Sequence, residues 1–220
     1  MNVAGIIPAA GHATRLQPLP CSKEVYPIRG RPVMDHLIER MRAANCRDMR
    51  VVTRPDKLDV VRNARGQGLT VIEAQPASLA ASIRLGLAGL ADRDVVLIGF
   101  PDTVWEPLDG YVTLLAAVER GWDAALGLFP VPDPETCDVV LCDDEGRVVA
   151  IESRPATPSS NVIWGCAAIR FGLLREWDGT VDPGIYLGSV AGRCRLVGLH
   201  LSDEFVDIGK SRHVLRTLSQ

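Results

Sequence analysis

This sequence has few lysines, no excess of positive charge and no long apolar run. Three of its 24 basic residues are lysines, Lys23, Lys57 and Lys210, and the formal net charge is −3. Proteins that bind nucleic acid generally present a basic face, so we expect no nucleic-acid partner. No apolar segment approaches the roughly 20 residues that a membrane helix needs, so we also expect no membrane partner.

The cysteines do not form a redox or metal-binding motif. None of the six stands in a C-x-x-C spacing. Met1, Asn2 and Val3 lead directly into an apolar, strand-like segment, without the features of a signal peptide. We therefore expect reduced thiols and a cytoplasmic protein.

The rest of the composition is ordinary for a globular chain. Apolar residues make up 47% of the 220 residues and charged residues 23%, which suits an α/β domain. Apolar segments at Val3–Pro8, 49–53, 69–73 and 94–99 alternate with helical patterns of about ten residues. This alternation predicts right-handed crossovers and a parallel sheet.

The pattern changes in the second half of the chain. An acidic turn at 143–146 between two apolar segments predicts a β-hairpin, Val162–Arg170 predicts a further strand, and Ser211 is expected to cap a final helix. We therefore predict an α/β fold with a doubly wound, mostly parallel but mixed sheet of the Rossmann-like type. We place it in one domain, with a nucleotide-binding half at residues 1–130 and an acceptor half at 131–220.

The loop after the first strand combines small residues with cations. Ala9, Ala10 and Gly11 let a ligand approach their backbone N–H groups, and Arg15 and Lys23 follow on the same loop. At the carboxyl end of a strand in a doubly wound sheet, this combination predicts a polyphosphate site. The glycine spacing fits neither a P-loop nor the G-x-G-x-x-G fingerprint. A solvated surface loop with two cations stays open as the alternative.

Two aspartates follow predicted strands at widely separated positions. Asp102 lies just beyond the strand at 94–99, and Asp207 lies at the end of a strand at 205–208. If both reach the same edge of the sheet, their carboxylates would suit Mg²⁺, which prefers oxygen ligands and commonly keeps phosphates and waters as well. Either aspartate alone is also compatible with a helix cap or a turn.

The segment from Pro8 to Met41 resembles the N-terminal signature of sugar nucleotidyltransferases, in particular the glucose-1-phosphate thymidylyltransferase group. The resemblance implies a nucleotidyltransferase fold with catalytic roles for Arg15, Lys23 and Asp102. It also implies that Asp102 and Asp207 hold the metal against the α-phosphate. The residues that would bind the nucleotide are Ala9, Ala10, Gly11, Thr14 and Gln75.

Two later segments resemble the base and acceptor sites of the same family. Gln75 matches a glutamine that binds the base, and its amide can both donate to and accept from a pyrimidine; a surface glutamine near a helix cap is the alternative. Arg154 takes the position of a lysine that grips the sugar phosphate, and Glu152 and Trp164 lie beside it on the acceptor strands. For Trp164, core or interface packing is the favoured alternative.

Several positions depart from the family pattern. Ala13 replaces a glycine of the phosphate loop, Ser78 replaces a glycine in the base segment, and Lys210 replaces a threonine after Asp207 and Gly209. Ser153 stands where the family has a glutamate that bonds sugar hydroxyls, and a hydroxyl cannot replace a carboxylate acceptor. The differences therefore affect the expected sugar pocket more than the expected phosphate and metal site.

We therefore expect a nucleotidyltransferase with Mg²⁺ as its cofactor. It would move a nucleoside monophosphate from a nucleoside triphosphate to a sugar 1-phosphate or a similar phosphorylated acceptor and release pyrophosphate. Those two small molecules are its expected partners, and a homo-oligomer stays open. Two alternatives also stay open: a cytidylyltransferase for a non-sugar phosphate, and a non-catalytic regulator that binds a nucleotide or nucleotide-sugar.

Overall fold

The structure is a computed structural model that describes residues 2–209. Its strands are β1 (Val3–Pro8), β2 (Pro27–Ile28), β3 (Arg31–Pro32), β4 (Asp48–Thr53), β5 (Thr70–Glu73), β6 (Val95–Gly99), β7 (Thr103–Trp105), β8 (Ala124–Pro130), β9 (Asp138–Cys142), β10 (Val148–Ser153), β11 (Val162–Arg170), β12 (Leu196–His200) and β13 (Phe205–Asp207). Its helices are α1 (Val33–Ala43), α2 (Leu58–Gly66), α3 (Leu79–Gly86), α4 (Gly110–Glu119), α5 (Phe171–Leu174) and α6 (Pro183–Val190). Strands and helices alternate through the first half, as the apolar periodicity predicts.

One large mixed sheet forms the centre of the molecule. Its strands follow the order β10-β9-β11-β6-β1-β4-β5, and β8 and β12 extend it on the other side of β11. β1 is parallel to both β4 and β6, whereas β11 is antiparallel to both β6 and β8. The predicted Rossmann-like fold with a mixed, mostly parallel sheet is confirmed.

Helices cover both faces of this sheet, because successive side chains of a strand point to opposite sides. In β1, Ile7 packs in a cluster with Met34 and Leu37 of α1. Its neighbour Ile6 packs in a second cluster, with Ile83 of α3. A strand buried on both faces must be apolar at consecutive positions, which explains the unbroken apolar run near the start of the chain.

The loops that carry the predicted site gather at one edge of the sheet. β1 and β6 are parallel and end at this edge, and β11 begins there because it is antiparallel to β6. After this edge β7 pairs with β13, which places Asp207 opposite Thr103. In open α/β sheets ligands bind beyond the carboxyl ends of the strands, so a ligand site is expected at this edge.

Two helix boundaries differ from the sequence predictions. The apolar pattern predicts a helix from 79 to 90, but α3 ends at Gly86, and Gly89 beyond it has a φ of +77°. A residue in the left-handed region does not continue a right-handed helix. Asp56 is predicted to cap α2, but its carboxylate binds the nearby Arg54, and Lys57 occupies the cap position.

Some elements lie outside what the sequence patterns predict. The sequence pattern does not indicate α6, because Pro183, Gly184 and Gly188 weaken its helical signal. The helix expected after Ser211, like Lys210, lies outside the described residues. Within residues 2–209, no helix combines the length and the apolarity needed to cross a membrane.

Candidate active site

A cleft of about 460 Å³ lies at the sheet edge where β1 and β6 end. Its size is within the range of small-molecule sites. The predicted site residues that line it are Ala10, Gly11, Arg15, Lys23, Asp102, Arg154, Trp164 and Asp207. The fold therefore brings together residues from the first loop, the two aspartate segments and the acceptor strands.

The loop after β1 is anchored through Ala9. The Ala9 N–H donates to the Val52 carbonyl at 2.8 Å, and the Ala9 carbonyl accepts from Lys57 Nζ at 2.9 Å. Ala9 is fully buried and does not line the cleft, whereas Ala10 and Gly11 do. The backbone groups that face a ligand are thus those of the second and third small residues.

Arg15 lies in a single 3-10 turn, Thr14–Leu16, which follows a residue in the left-handed region. Ala13 has φ 52° and ψ 35°, and the buried side chain of Leu16 anchors the turn. The Arg15 side chain is exposed and lines the cleft, and within residues 2–209 it has no hydrogen bond or ion pair. Its guanidinium is therefore available to phosphate oxygens.

Lys23 begins a second 3-10 turn, Lys23–Val25, and its ammonium contacts Asp102 Oδ2. Burial lowers the pKa of Lys23, but the negative charges of Asp102, Glu24 and Asp207 outweigh burial and raise the pKa above its ordinary value. Lys23 is therefore a permanent cation near neutral pH. It can stabilise negative charge but cannot act as a general base.

Asp102 and Asp207 converge although they are far apart in the sequence. The N–H of Ile208 donates to the Asp102 carbonyl at 3.0 Å, and the N–H of Gly209 donates to Asp207 Oδ1 at 2.7 Å. A Cβ built on Gly209 would lie 2.9 Å from both Asp102 Oδ2 and Asp207 Oδ1. The two carboxylate oxygens are therefore separated by no more than twice that distance.

This pair of carboxylates fits a Mg²⁺ site that takes its other ligands from phosphates and water. No group of three or more His, Cys, Asp or Glu side chains with metal-binding geometry occurs in the part of the chain that the structure describes. Asp102 and Asp207 both line the cleft and form a pair of carboxylates that fits such an ion. Because Gly209 has no side chain, no Cβ fills the space beside the two carboxylates, and Lys23 Nζ, which contacts Asp102 Oδ2, lies 3.7 Å from that position.

A buried ion pair that no sequence motif indicates lies next to these residues, and its Glu24 lines the cleft whereas its Lys57 does not. Lys57 Nζ contacts both carboxylate oxygens of Glu24, at 2.8 and 2.7 Å, and the two side chains are 10% and 1% exposed. Burial raises the pKa of Glu24 and lowers that of Lys57, and their mutual attraction offsets this only in part. Because Glu24 follows Lys23 in the chain, this pair anchors the turn that carries Lys23.

Arg154 lines the cleft from the side of β10, which β9, β11 and β6 separate from β1 in the sheet. It follows β10, and its φ of 46° lies in the left-handed region. Its backbone N–H donates to the Cys137 carbonyl at 2.9 Å, and its guanidinium Nη2 lies 3.1 Å from Asp182 Oδ2. The side chain remains 63% exposed, so the guanidinium has donors left for a phosphate.

The two residues before Arg154 bind other partners. Glu152 accepts hydrogen bonds from the N–H and the hydroxyl of Ser159, at 3.1 and 2.6 Å. The hydroxyl of Ser153 donates to Asp138 Oδ1 at 2.7 Å. Asp138 itself lines the cleft, whereas Glu152 and Ser153 do not.

Aromatic side chains also line the cleft. Phe100 and Trp164 lie with their ring centroids 5.4 Å apart and their planes at 60°, and Phe205 lies on the same cleft. Trp164 is 5% exposed and belongs to a core cluster with Leu128 and Leu187. It is thus a packed core residue that also lines the cleft.

The predicted site residues that do not line the cleft are Ala9, Thr14, Gln75 and Glu152. Gln75 is exposed, but the segment directly after it, from Pro76 to Leu79, forms the wall of the cleft at the start of α3. Ser78 caps this helix, because its Oγ accepts from the Ala81 N–H at 3.1 Å. The roles predicted for Gln75 and Thr14 remain predictions.

A Rossmann-like mixed sheet with cations and paired carboxylates beyond the carboxyl ends of its strands suits a phosphorylated ligand. Residues 5–157 match the family model described as the MobA-like NTP transferase domain, and the chain belongs to this family. The resemblance to sugar nucleotidyltransferases that the sequence motifs carry is confirmed.

Curated relatives are similar over most of this chain. A glucose-1-phosphate thymidylyltransferase of Mycolicibacterium smegmatis is 29% identical over 166 residues, which cover 71% of this chain and 57% of that protein. A protein of the same name from Neisseria gonorrhoeae is 27% identical over 176 residues, covering 76% of this chain and 60% of that protein. The match thus spans well under two thirds of the length of these relatives.

Solved structures share the fold at low sequence identity. A Bacillus anthracis protein assigned as a glucose-1-phosphate thymidylyltransferase, crystallised with sucrose, superposes with a TM-score of 0.86 at 19% identity. The match covers 99% of this chain and 94% of that one. A UDP-glucose pyrophosphorylase of Acinetobacter baumanii superposes with a TM-score of 0.79 at 15% identity, covering 100% and 92% of the two chains. These likenesses show a common fold.

Proposed function

We propose that this protein transfers a nucleoside monophosphate from a nucleoside triphosphate to a sugar 1-phosphate or a similar phosphorylated acceptor and releases pyrophosphate. The convergence of Asp102, Asp207, Lys23 and Arg15 on one cleft is the observation that carries the proposal. Residues 1–130 would bind the nucleotide, and residues 131–220 would bind the acceptor. Free thiols at all six cysteines agree with a cytoplasmic enzyme.

The reaction needs no proton transfer, because the attacking group is already ionised. An oxygen of the acceptor phosphate attacks the α-phosphorus of the triphosphate. The bond between that phosphorus and the oxygen bridging to the β-phosphate breaks, and pyrophosphate leaves with the electron pair. Catalysis then depends on placing the two phosphates and on neutralising their charge.

The cations of the cleft divide this task. Arg15, which is unpaired among the described residues, would hold the triphosphate and the departing pyrophosphate. Lys23, whose ammonium contacts Asp102 on the cleft, would stabilise negative charge at the α-phosphate. Arg154, on the side of β10, would orient the acceptor phosphate toward it.

Asp102 and Asp207 would hold Mg²⁺. The bound ion would neutralise negative charge on the phosphates. Lys23 would remain close to both carboxylates, which keeps it at the centre of the phosphate site.

A pyrophosphate-release assay tests the proposal. The enzyme is incubated with Mg²⁺, each nucleoside triphosphate in turn and a panel of phosphorylated acceptors. Arg15→Ala and Asp102→Asn should each lower turnover about a hundredfold to a thousandfold, because each removes a contact with the transition state.

Arg65→Ala is the control for these variants, because it removes an exposed guanidinium on α2 that pairs with Glu73 and does not line the cleft. It should keep the wild-type rate. Pyrophosphate release at the wild-type rate by both site variants, with circular dichroism confirming that they are folded, would contradict the proposal.

A non-sugar phosphate is the second candidate acceptor, and the acceptor wall favours it. Glu152 and Ser153 bind Ser159 and Asp138 instead of facing the cleft, while Phe100 and Trp164 form an aromatic surface. The carboxylate of Glu152 is thus not available to sugar hydroxyls, although Thr136 and Asp138 line the cleft. Comparing kcat/KM for glucose 1-phosphate with that for small phosphorylated alcohols, using each triphosphate including CTP, decides between the two.

The same assay separates an enzyme from a regulator. A non-catalytic protein would bind a nucleotide or nucleotide-sugar in calorimetry and release no pyrophosphate with any acceptor. Arg15, Lys23 and the two converging carboxylates line one cleft together, and a site that kept all four groups favours turnover.

A further inference from the structure

Two residues at the N-terminus of α2 bind the turn that carries Lys23. Asp59 accepts hydrogen bonds from both the N–H and the hydroxyl of Ser22, each at 2.7 Å. Lys57, the cap residue of the same helix, contacts both oxygens of Glu24. The residues on either side of Lys23 are therefore both tied to α2.

Lys57 also connects this turn to the phosphate loop. Besides Glu24, its ammonium donates to the carbonyl of Ala9 at 2.9 Å, and Ala10 and Gly11 follow directly on the cleft wall. One buried ammonium thus binds the loop after β1 and the turn of Lys23 at the same time. These two segments carry the groups that would meet the triphosphate.

We propose that Glu24 and Lys57 act as a positioning pair, which holds the loop after β1 and the turn of Lys23 in the arrangement that binds a triphosphate. This inference rests on the proposed function. Neither residue is assigned to touch the reacting atoms. Their effect is on where Lys23 and the backbone of Ala10 and Gly11 lie.

A purely stabilising role explains this pair poorly. Burying two charges costs free energy that their attraction often does no more than repay, so a buried ion pair is weak evidence for stability. The pair lies where position matters most, between two segments of the phosphate site. An error of about 1 Å in the placement of catalytic groups can cost a hundredfold in rate.

The test uses a charge-balanced double variant, Glu24→Gln with Lys57→Met. It removes one negative and one positive charge together, so the net charge beside the phosphate site is unchanged. Methionine is close to lysine in length but cannot donate to Ala9 or Glu24. Replacing both partners avoids leaving an unpaired buried charge, so the double variant is expected to fold.

The matched control is Arg65→Met with Glu73→Gln. This pair also links α2 to another segment and is also charge-balanced, but its side chains are 63% and 36% exposed and lie away from the cleft. Binding of magnesium pyrophosphate is measured by calorimetry well below the melting temperature of every variant. Pyrophosphate release gives KM for the triphosphate, KM for the acceptor, and kcat.

The positioning role predicts that the Glu24–Lys57 double variant binds magnesium pyrophosphate about tenfold more weakly or worse. KM for the triphosphate should rise, while KM for the acceptor stays as in the wild type, because Arg154 lies on the side of β10. The control pair should match the wild type in all four quantities. Wild-type constants in the Glu24–Lys57 variant, even with a lower melting temperature, would overturn the proposal.

Glu24→Asp provides a second test if the double variant does not fold. It keeps every charge but shortens the anchor by one methylene, so triphosphate KM should rise, and an unchanged KM would overturn the inference. A wild-type protein that neither binds magnesium pyrophosphate nor releases it would instead overturn the proposed function. The two failures are thus distinguishable.

Discussion

Ala13 and Arg154 adopt a left-handed backbone conformation that favours glycine. Their φ values are 52° and 46°, and each stands next to a proposed phosphate contact or is one. A left-handed residue with a side chain costs on the order of 1 kcal/mol or more. Such strain often marks functional sites, and Arg29 and Asn45, which do not line the cleft, share this conformation. At Ala13 and Arg154 it turns the chain so that Arg15 and Arg154 line one cleft.

The substitution Ala13→Gly should stabilise the folded protein. The family pattern has glycine at this position, and glycine adopts a positive φ without a steric penalty. The gain in the folded state exceeds the added entropy of the unfolded chain, so the free energy of unfolding should rise by up to about 1 kcal/mol. Urea denaturation measures it. A loss of more than about 1 kcal/mol would show that the Ala13 side chain makes a stabilising contact.

At the scale of elements, α1 is tied to the β2–β3 turn through a buried histidine. His36 is 4% exposed. Its Nε2 lies 3.2 Å from the Ile28 carbonyl, and its Nδ1 lies 3.0 Å from Arg31 Nη2. A neutral ring that donates from Nε2 and accepts at Nδ1 satisfies both contacts. Burial, together with Arg31, Arg40 and Arg29, lowers the pKa of His36, although the bond to Ile28 opposes the shift.

This contact predicts a pH dependence of stability. In the unfolded chain His36 titrates near its ordinary pKa of about 6.5, and in the folded protein its pKa is lower. The unfolded state therefore takes up the proton first as the pH falls. The contribution of neutral His36 is complete above about pH 6.5 and is lost as the pH falls through the folded pKa, with a slope of up to about 1.4 kcal/mol per pH unit.

Urea denaturation of the wild type and of His36→Gln, at about pH 7.5 and about pH 5.5, measures this contribution. The wild type should lose more stability than the variant between the two values. Equal losses in both proteins would show that His36 is not the group responsible. His12 and His200 are exposed and are present in both proteins, so they cancel in the difference.

The sequence predicts the elements well wherever one physical signal dominates. β1, β6 and β11 are buried on both faces, so each is a continuous apolar run. These runs are long enough to be recognised without tertiary information. Elements with mixed signals are predicted less well. The length of α3 is overestimated because its apolar pattern continues past the turn at Gly89, and the three residues of β7 are too few to show any pattern.

At the scale of the whole molecule, the site is predicted where its residues match a motif. Arg15, Lys23, Asp102 and Asp207 are found this way, and the fold brings them to one cleft. The Glu24–Lys57 pair is missed because its partners lie 33 positions apart with no motif or period connecting them. Only the packing of α2 against the turn of Lys23 brings them together.

The acceptor end shows the limit of motif reasoning most clearly. Glu152, Ser153 and Arg154 are consecutive, yet Glu152 binds Ser159, Ser153 binds Asp138 and only Arg154 lines the cleft. The alternation of side chains along β10 separates the first two, and the left-handed conformation of Arg154 ends the strand and changes its direction. The sequence motif predicts which residues this segment contributes but does not predict which partners their side chains bind.

The central claim is that Asp102 and Asp207 bind one metal ion against the phosphates of a nucleotide. A crystal structure with a non-hydrolysable nucleoside triphosphate and Mn²⁺, which substitutes for Mg²⁺ and has an anomalous signal, tests it most directly. The account predicts one anomalous peak within bonding distance of both carboxylates and the α-phosphate, with Arg15 on the triphosphate. A peak that contacts neither aspartate, or a triphosphate bound away from Arg15 and Lys23, would contradict it.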